Sequence, residues 1–504
     1  MLNGLKKLYR RIRHTNAARI LLPPLSVLLF ATYPALYMFT QNAGLLLLKS
    51  YVRLLPFYAL LVLVVYGVSL LLNRFRTVRA ANAAMAFLLF FNTYGIIYNL
   101  LLEQDLVRVE HFILLPLFVF LGLYSAWLVS RIKKDVSYAL WRFITLVFVL
   151  LTVLSVIRII PHEVKKAALA RTDEQPVSVH IREAQAAYPD IYYLVFDEFP
   201  GIRSLREYWK NERVEPFVDF LADRDFFIAL ESRSSDIWSI HQIATRLNYF
   251  DYEYVKGEEE TWLYSIANNK AMAYTKSLGY TTVMIEGFSR FFPTMPEIKA
   301  EHTYNIDDTR SQLDYVVNDD FTQLVMEATM LQWLTHQPAY LARALEPHRK
   351  IISYAIERVP HMQDIASPKF LYLHLTMPHT PYLYDAQGNE QDPALYFDWI
   401  AYEDYTEYSM SVIEDMIAGI LENADSANPP VIILQSDHGA RVKANNKTFR
   451  DFPPEFQRDI LFAMYLPGYD TSTLPQDLDP INTLPIVFNH YLGAGIPLQG
   501  IPLQ

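Results

Sequence analysis

Three apolar runs of this sequence end in side chains that could bind a metal ion or move a proton. IYYLVFDE (191–198) ends in Asp197 and Glu198, KFLYLHLT (369–376) carries His374 and leads to His379, and PVIILQSDHG (430–439) closes on Asp437 and His438. Carboxylates and imidazoles together suit one divalent ion such as Zn²⁺ or Mn²⁺. The chain has no cysteine, so any ligand set is built from oxygen and nitrogen, and disulfides and cysteine nucleophiles are excluded. Each run alone has a plainer explanation, because a strand-end Asp is commonly a cap or turn former and a lone buried His a satisfied core residue. Their joint occurrence at three strand ends favours a shared site.

The elements that must position these groups follow from the surrounding pattern. From Asp190 onwards, apolar runs of strand length, including YTTVMIEG (280–287) and ILFAMYLPG (460–468), alternate with stretches whose apolar residues recur at spacings of three and four. Helices are expected over Glu215–Phe226, Phe321–Leu345 and Asp404–Leu421. Continuous apolar strands separated by helices predict a buried, mainly parallel sheet with helices on both faces, an α/β/α sandwich. In such sheets, functional groups gather beyond the C-terminal ends of the strands, so Asp197, His374 and Asp437 are expected on one rim.

The first 160 residues are different. Of the whole chain 52% is hydrophobic and 19% charged, and most of the apolar excess lies here. About 20 apolar residues span a bilayer core, and five segments reach that length: Ile20–Thr40, Leu54–Leu72, Ala80–Leu102, Phe112–Val129 and Ala139–Ile157. Basic residues cluster in LKKLYRRIRH at the N-terminus, at Arg74, Arg76 and Arg79, and at Arg131, Lys133 and Lys134, whereas the alternate loops are nearly neutral or acidic. This places the N-terminus in the cytoplasm and everything after about residue 160 outside an inner or plasma membrane. The expected organisation is a five-helix transmembrane domain (1–161), a juxtamembrane linker (162–188) and an extracytoplasmic domain (189–504). A net charge of −10 argues against a nucleic-acid partner.

YLVFDEFPG, HLTMPHTPY and LQSDHGAR, in this order and followed by ILFAMYLPG, resemble the alkaline phosphatase and sulfatase superfamily. With five preceding helices, the chain looks like its membrane-anchored branch, which includes lipoteichoic acid synthases and phosphoethanolamine transferases. The resemblance implies a sulfatase-like domain in which Asp197, Asp437 and His438 hold one metal ion. It also implies a hydroxyl nucleophile bound to that metal at the start of a helix; within ESRSSDIWSIHQIATRLNYFDY (231–252) this points to Ser239. Ser234 and Ser235 are competing hydroxyls, and helix capping is an alternative role for all three. His379 resembles the histidine that contacts the transferred group or protonates the leaving oxygen. His374 and Arg441 are placed beside it against the substrate, a structural role being equally open to His374. The implied activity is phosphoryl-group transfer or hydrolysis on phospholipid head groups or cell-envelope glycans, through a covalent serine intermediate at the bilayer surface. SIHQI lacks the pattern that formylglycine formation requires, which disfavours a sulfuric ester hydrolase. The branch's further histidine after Asp-His-Gly is missing until His490, and its nucleophile is usually threonine. A catalytically degenerate membrane regulator that senses lipid is therefore the reading from another class.

Overall fold

The computed structural model describes residues 16–103, 111–169, 188–249, 259–288, 298–309, 320–441 and 452–499. The basic N-terminal cluster, most of the 162–188 linker and the acidic loop at 105–110 lie outside the described residues. The chain divides into two compact units, Met1–Ala167 with Ser311–Leu341, and Ala168–Arg310 with Ala342–Gln504.

The first unit contains helices Asn16–Gln41, Leu48–Leu72, Thr77–Glu103, His111–Ser130 and Lys134–Leu169. All five include a stretch long and apolar enough to cross a membrane. The polar residues of the third helix face neighbours. Asn82 Nδ2 donates to the Ser137 carbonyl (2.8 Å), Asn92 Nδ2 to that of Ala31 (3.3 Å), and Asn99 Oδ1 accepts from Gln332 Nε2 (2.6 Å). Such pairing satisfies groups that hydrocarbon could not.

That last contact corrects one expectation. Phe321–Leu345 is not a single helix but three pieces, Asp320–Ala328, Gln332–Thr335 and Pro338–Arg358, and residues up to Leu341 belong to the membrane unit. The last piece begins at Pro338, a residue favoured in the first turn of a helix. The close approach of this segment requires a glycine, since a Cβ on Gly95 would fall 1.9 Å from the Glu327 carbonyl oxygen. Phe321 packs edge-on against Phe39, with ring centroids 5.8 Å apart.

Among the described residues, the second unit is built on a seven-stranded sheet of order β2-β7-β6-β1-β5-β3-β4. The strands are β1 Ile191–Phe196, β2 Phe227–Ile228, β3 Thr281–Glu286, β4 His302–Asn305, β5 Lys369–Leu375, β6 Val431–Ser436 and β7 Phe462–Tyr465. β4, β3, β5, β1 and β6 run parallel, while β7 is antiparallel to β6 and to β2. Burial on both faces explains why the central strands read as unbroken apolar runs. Helices Val214–Ala222, Pro338–Arg358 and Tyr402–Glu422 contribute to the core on one face. On the other lie Ser239–Asn248 and Thr483–Leu492, the latter touching β5 through Phe488 and Phe370 and β6 through Thr483 and Gln435.

Candidate metal centre

Register brings the candidate ligands together. Phe196, the last residue of β1, pairs with Leu375 of β5 and Ser436 of β6, so Asp197 and Asp437 emerge side by side. Val195 pairs with His374 and with Gln435. Side chains alternate along a strand and paired residues of a parallel sheet share a face, so Asp197, His374 and Asp437 project to the same side. One ligand atom from each lies within 4.8 Å of the other two, and all three residues are buried.

Their hydrogen bonding is incomplete. Asp437 Oδ1 accepts from the backbone N–H groups of Glu198 (3.0 Å) and His438 (2.9 Å). His374 Nδ1 meets the Tyr372 hydroxyl at 3.1 Å. Asp197 Oδ1, Asp437 Oδ2 and His374 Nε2 have no hydrogen-bond partner among the described residues. A buried polar atom left in this state costs about 1–3 kcal/mol. Burial, and then the Asp437 carboxylate beside it, pushes the Asp197 pKa well above the usual range. Burial also pushes His374 and His438 down to about 4, leaving neutral imidazoles whose lone pairs are available. Two crowded carboxylates and neutral imidazole nitrogens are a donor set that a divalent cation would satisfy.

His438 adjoins this group. Its Nδ1 donates to the Gly439 carbonyl (2.8 Å), which leaves the Nε2 lone pair facing Asp437 (3.4 Å), Asp197 (3.6 Å) and Ser239 Oγ (3.3 Å). Ser239 is the first residue of its helix, which ends at Asn248. Ser235 Oγ accepts from Gln242 Nε2 (3.1 Å), whereas Ser234 Oγ is buried with no hydrogen-bond partner among the described residues. Gly439, the residue after His438, is closely packed. A Cβ there would lie 2.2 Å from the Phe456 carbonyl oxygen and 2.4 Å from that of Asp459, so this glycine admits a neighbouring backbone.

A second layer is organised by Glu198, a residue that ends the first motif but had no assigned role. Its φ of 64° is unusual for a residue with a side chain. The Glu198 carboxylate accepts from the Arg441 backbone N–H (2.5 Å) and lies 3.6 Å from both Arg441 Nη2 and His379 Nε2. His379 Nδ1 donates to the Thr380 carbonyl (2.5 Å), and burial lowers the imidazole pKa to about 4. Acting as an acid therefore requires a proton on Nε2, and Glu198 is the carboxylate placed to share it. The Arg441 guanidinium also lies 5.9 Å from the ring of Trp238, which is 56% exposed next to Ser239.

The sequence-based ligand set of Asp197, Asp437, His438 and Ser239 is thus gathered at one place, and His374 stands with the two carboxylates. Arg246, which donates to the Ser436 and Asp437 carbonyls at 2.7 Å each, escaped sequence reasoning. Its signal was its position seven residues after Ser239, on the same helical face.

No family model and no curated protein matches the sequence. Among solved structures, the chain is similar to the zinc complex of the C-terminal periplasmic domain of EcEptC from Escherichia coli, with 16% identity over 66% of this chain and 88% of that one and a TM-score of 0.40. It is similar to an alkaline phosphatase superfamily protein from Vibrio parahaemolyticus, with 14% identity over 65% and 74% and a TM-score of 0.41. The integral membrane lipooligosaccharide phosphoethanolamine transferase A (EptA) from Neisseria meningitidis matches at 14% identity over 88% of each chain, with a TM-score of 0.38.

Proposed function

We propose that the chain is a membrane-anchored, metal-dependent phosphoryl-group transferase or hydrolase of the alkaline phosphatase and sulfatase superfamily, with its second unit extracytoplasmic. The observation that carries this reading is the buried Asp197, His374 and Asp437 group, with a serine hydroxyl 3.3 Å from the adjoining His438.

Asp197, His374 and Asp437 would hold the ion, with His438 and Ser239 at its edge. A bound divalent ion would lower the pKa of a nearby hydroxyl and withdraw charge from phosphoryl oxygens. Ser239 Oγ gives its proton to His438 Nε2 and forms a bond to phosphorus as the bond to the departing alkoxide breaks. His379, with its Nε2 proton shared with Glu198, protonates that alkoxide. Arg441 neutralises phosphoryl charge. A second hydroxyl, from water in a hydrolase or from a lipid or glycan in a transferase, then gives its proton to His379 as it bonds to phosphorus, the Ser239 Oγ–P bond breaks, and His438 Nε2 returns its proton to Ser239 Oγ. Tethering through five spans favours a phospholipid or envelope-glycan substrate at the bilayer surface.

Intact-mass spectrometry of purified full-length protein with phosphatidylethanolamine and phosphatidylglycerol vesicles tests this. An adduct mapping to Ser239, absent from Ser239→Ala, is expected and names the transferred group. A metal-replete protein that forms no adduct on Ser239 and turns over neither vesicle lipids nor soluble phosphate esters would reject the reading.

A further inference from the structure

We propose that Arg246 is the positioning residue of the site, locking the helix that carries Ser239 onto the strand end that carries Asp437; this rests on the function proposed above. Ser239 and Arg246 lie about two turns apart on one helical face. Arg246 is 4% exposed. One arm, Nη1, donates to the Ser436 carbonyl at 2.7 Å, and the other, Nη2, donates to the Asp437 carbonyl at 2.7 Å and to Gln242 Oε1 at 3.2 Å. Gln242 Nε2 in turn donates to Ser235 Oγ at 3.1 Å, so the network reaches the loop that leads into the helix.

The chemistry of this contact is unusual for a structural arginine. A buried guanidinium normally meets a carboxylate, because an unpaired cation is expensive to desolvate. The hydrogen bonds of Arg246 go instead to two consecutive main-chain carbonyls and an amide, and those carbonyls belong to the last residue of β6 and the first ligand after it. The planar fork fits two carbonyls at once, whereas a lysine ammonium concentrates its donors at one point. The contact thus fixes the helix relative to the strand end and, through it, the approach of Ser239 Oγ to His438 Nε2 at 3.3 Å. Misplacement of a reacting group by about 1 Å can cost about a hundredfold in rate.

The decisive variant is Arg246→Lys in full-length protein, with Arg246→Gln as a second variant that removes the charge. Hydrogen exchange on chelator-treated protein should accelerate over residues 239–248 and 436–438 while β1 keeps its protection. In metal-loaded protein, the rate of Ser239 adduct formation from the same vesicles, per bound metal, should fall about a hundredfold in Arg246→Lys at unchanged metal content. Wild-type exchange and wild-type adduct rate in both variants would overturn the proposal, as would a rate loss fully accounted for by lost metal or global unfolding. If wild-type protein itself forms no adduct, the functional reading fails, and the exchange experiment on metal-free protein still decides whether Arg246 ties helix to strand.

Discussion

The two ends of the same three strands treat buried charge in opposite ways. At the N-terminal end, Lys369 Nζ lies 3.1 Å from Asp190 Oδ2 and donates to the carbonyls of Met362 (3.0 Å) and Ile365 (3.1 Å). Asp190 also accepts from the Ser367 hydroxyl and the Lys369 backbone N–H, both at 3.0 Å. Positive and negative groups are matched there. At the C-terminal end, Asp197 and Asp437 crowd together with neutral imidazoles, and Asp197 Oδ1, Asp437 Oδ2 and His374 Nε2 lack hydrogen-bond partners. The rim left short of a cation is the one at which the proposed metal site lies.

Removing one carboxylate from each rim should break this symmetry in opposite directions. Asp437→Ala is expected to abolish metal binding and lower turnover by on the order of a thousandfold. Measured in chelator, Asp197→Ala should melt no lower than wild type, because it removes the carboxyl that burial and the Asp437 carboxylate disfavour, whereas Asp437→Ala also strands the Glu198 and His438 N–H groups. Asp190→Ala should retain its metal by elemental analysis but lose about 2–3 kcal/mol of stability, since it strands the Lys369 ammonium in the interior. A large loss of metal-free stability in Asp197→Ala would show that its carboxyl is already balanced by the protein. Metal itself is expected to stabilise wild type by about 4 kcal/mol at a thousandfold excess over its dissociation constant, read as the shift in unfolding midpoint on chelation.

The same contrast separates what the sequence disclosed from what it concealed. β1, β5 and β6 were legible because strands buried on both faces are continuous apolar runs, and their terminal Asp and His residues were legible as chemistry. β2 and β4 were not, being two and four residues long, with His302 and Thr303 of β4 exposed at the sheet edge. The five spans were visible as apolar length, but the return of residues 320–341 to the membrane unit was not, because an amphipathic helix does not declare which surface it covers. The place of His374 was hidden for a different reason. Whether it faces Asp197 depends on the register of β5 against β1, and those strands are separated by more than 170 residues. Arg246 was concealed similarly, since its partners are main-chain carbonyls, which no side-chain pattern marks.

A smaller effect tests whether strain also sits outside the two rims. Asp459 supports the loop against which Gly201 packs, and its Oδ2 accepts from the Ser204 backbone N–H at 2.9 Å. Burial raises its pKa from 3.8 to about 6, against the opposing pull of Ser204 and Arg203. A carboxyl whose folded pKa exceeds its unfolded one binds protons more tightly when folded. Its contribution to stability is therefore fully present below about pH 3.8 and lost as pH rises through about 6. That span corresponds to at most about 3 kcal/mol. Asp459→Asn keeps the acceptor for Ser204 and removes the titration, so its stability relative to wild type should improve between pH 4 and pH 6 and then level off. Denaturant midpoints at each pH, taken in chelator so that metal affinity does not enter, measure this directly. A difference that stays flat across that range would mean that Arg203 and Arg233 already hold Asp459 ionised, and that ionic balance in this unit fails only where Asp197, His374 and Asp437 meet.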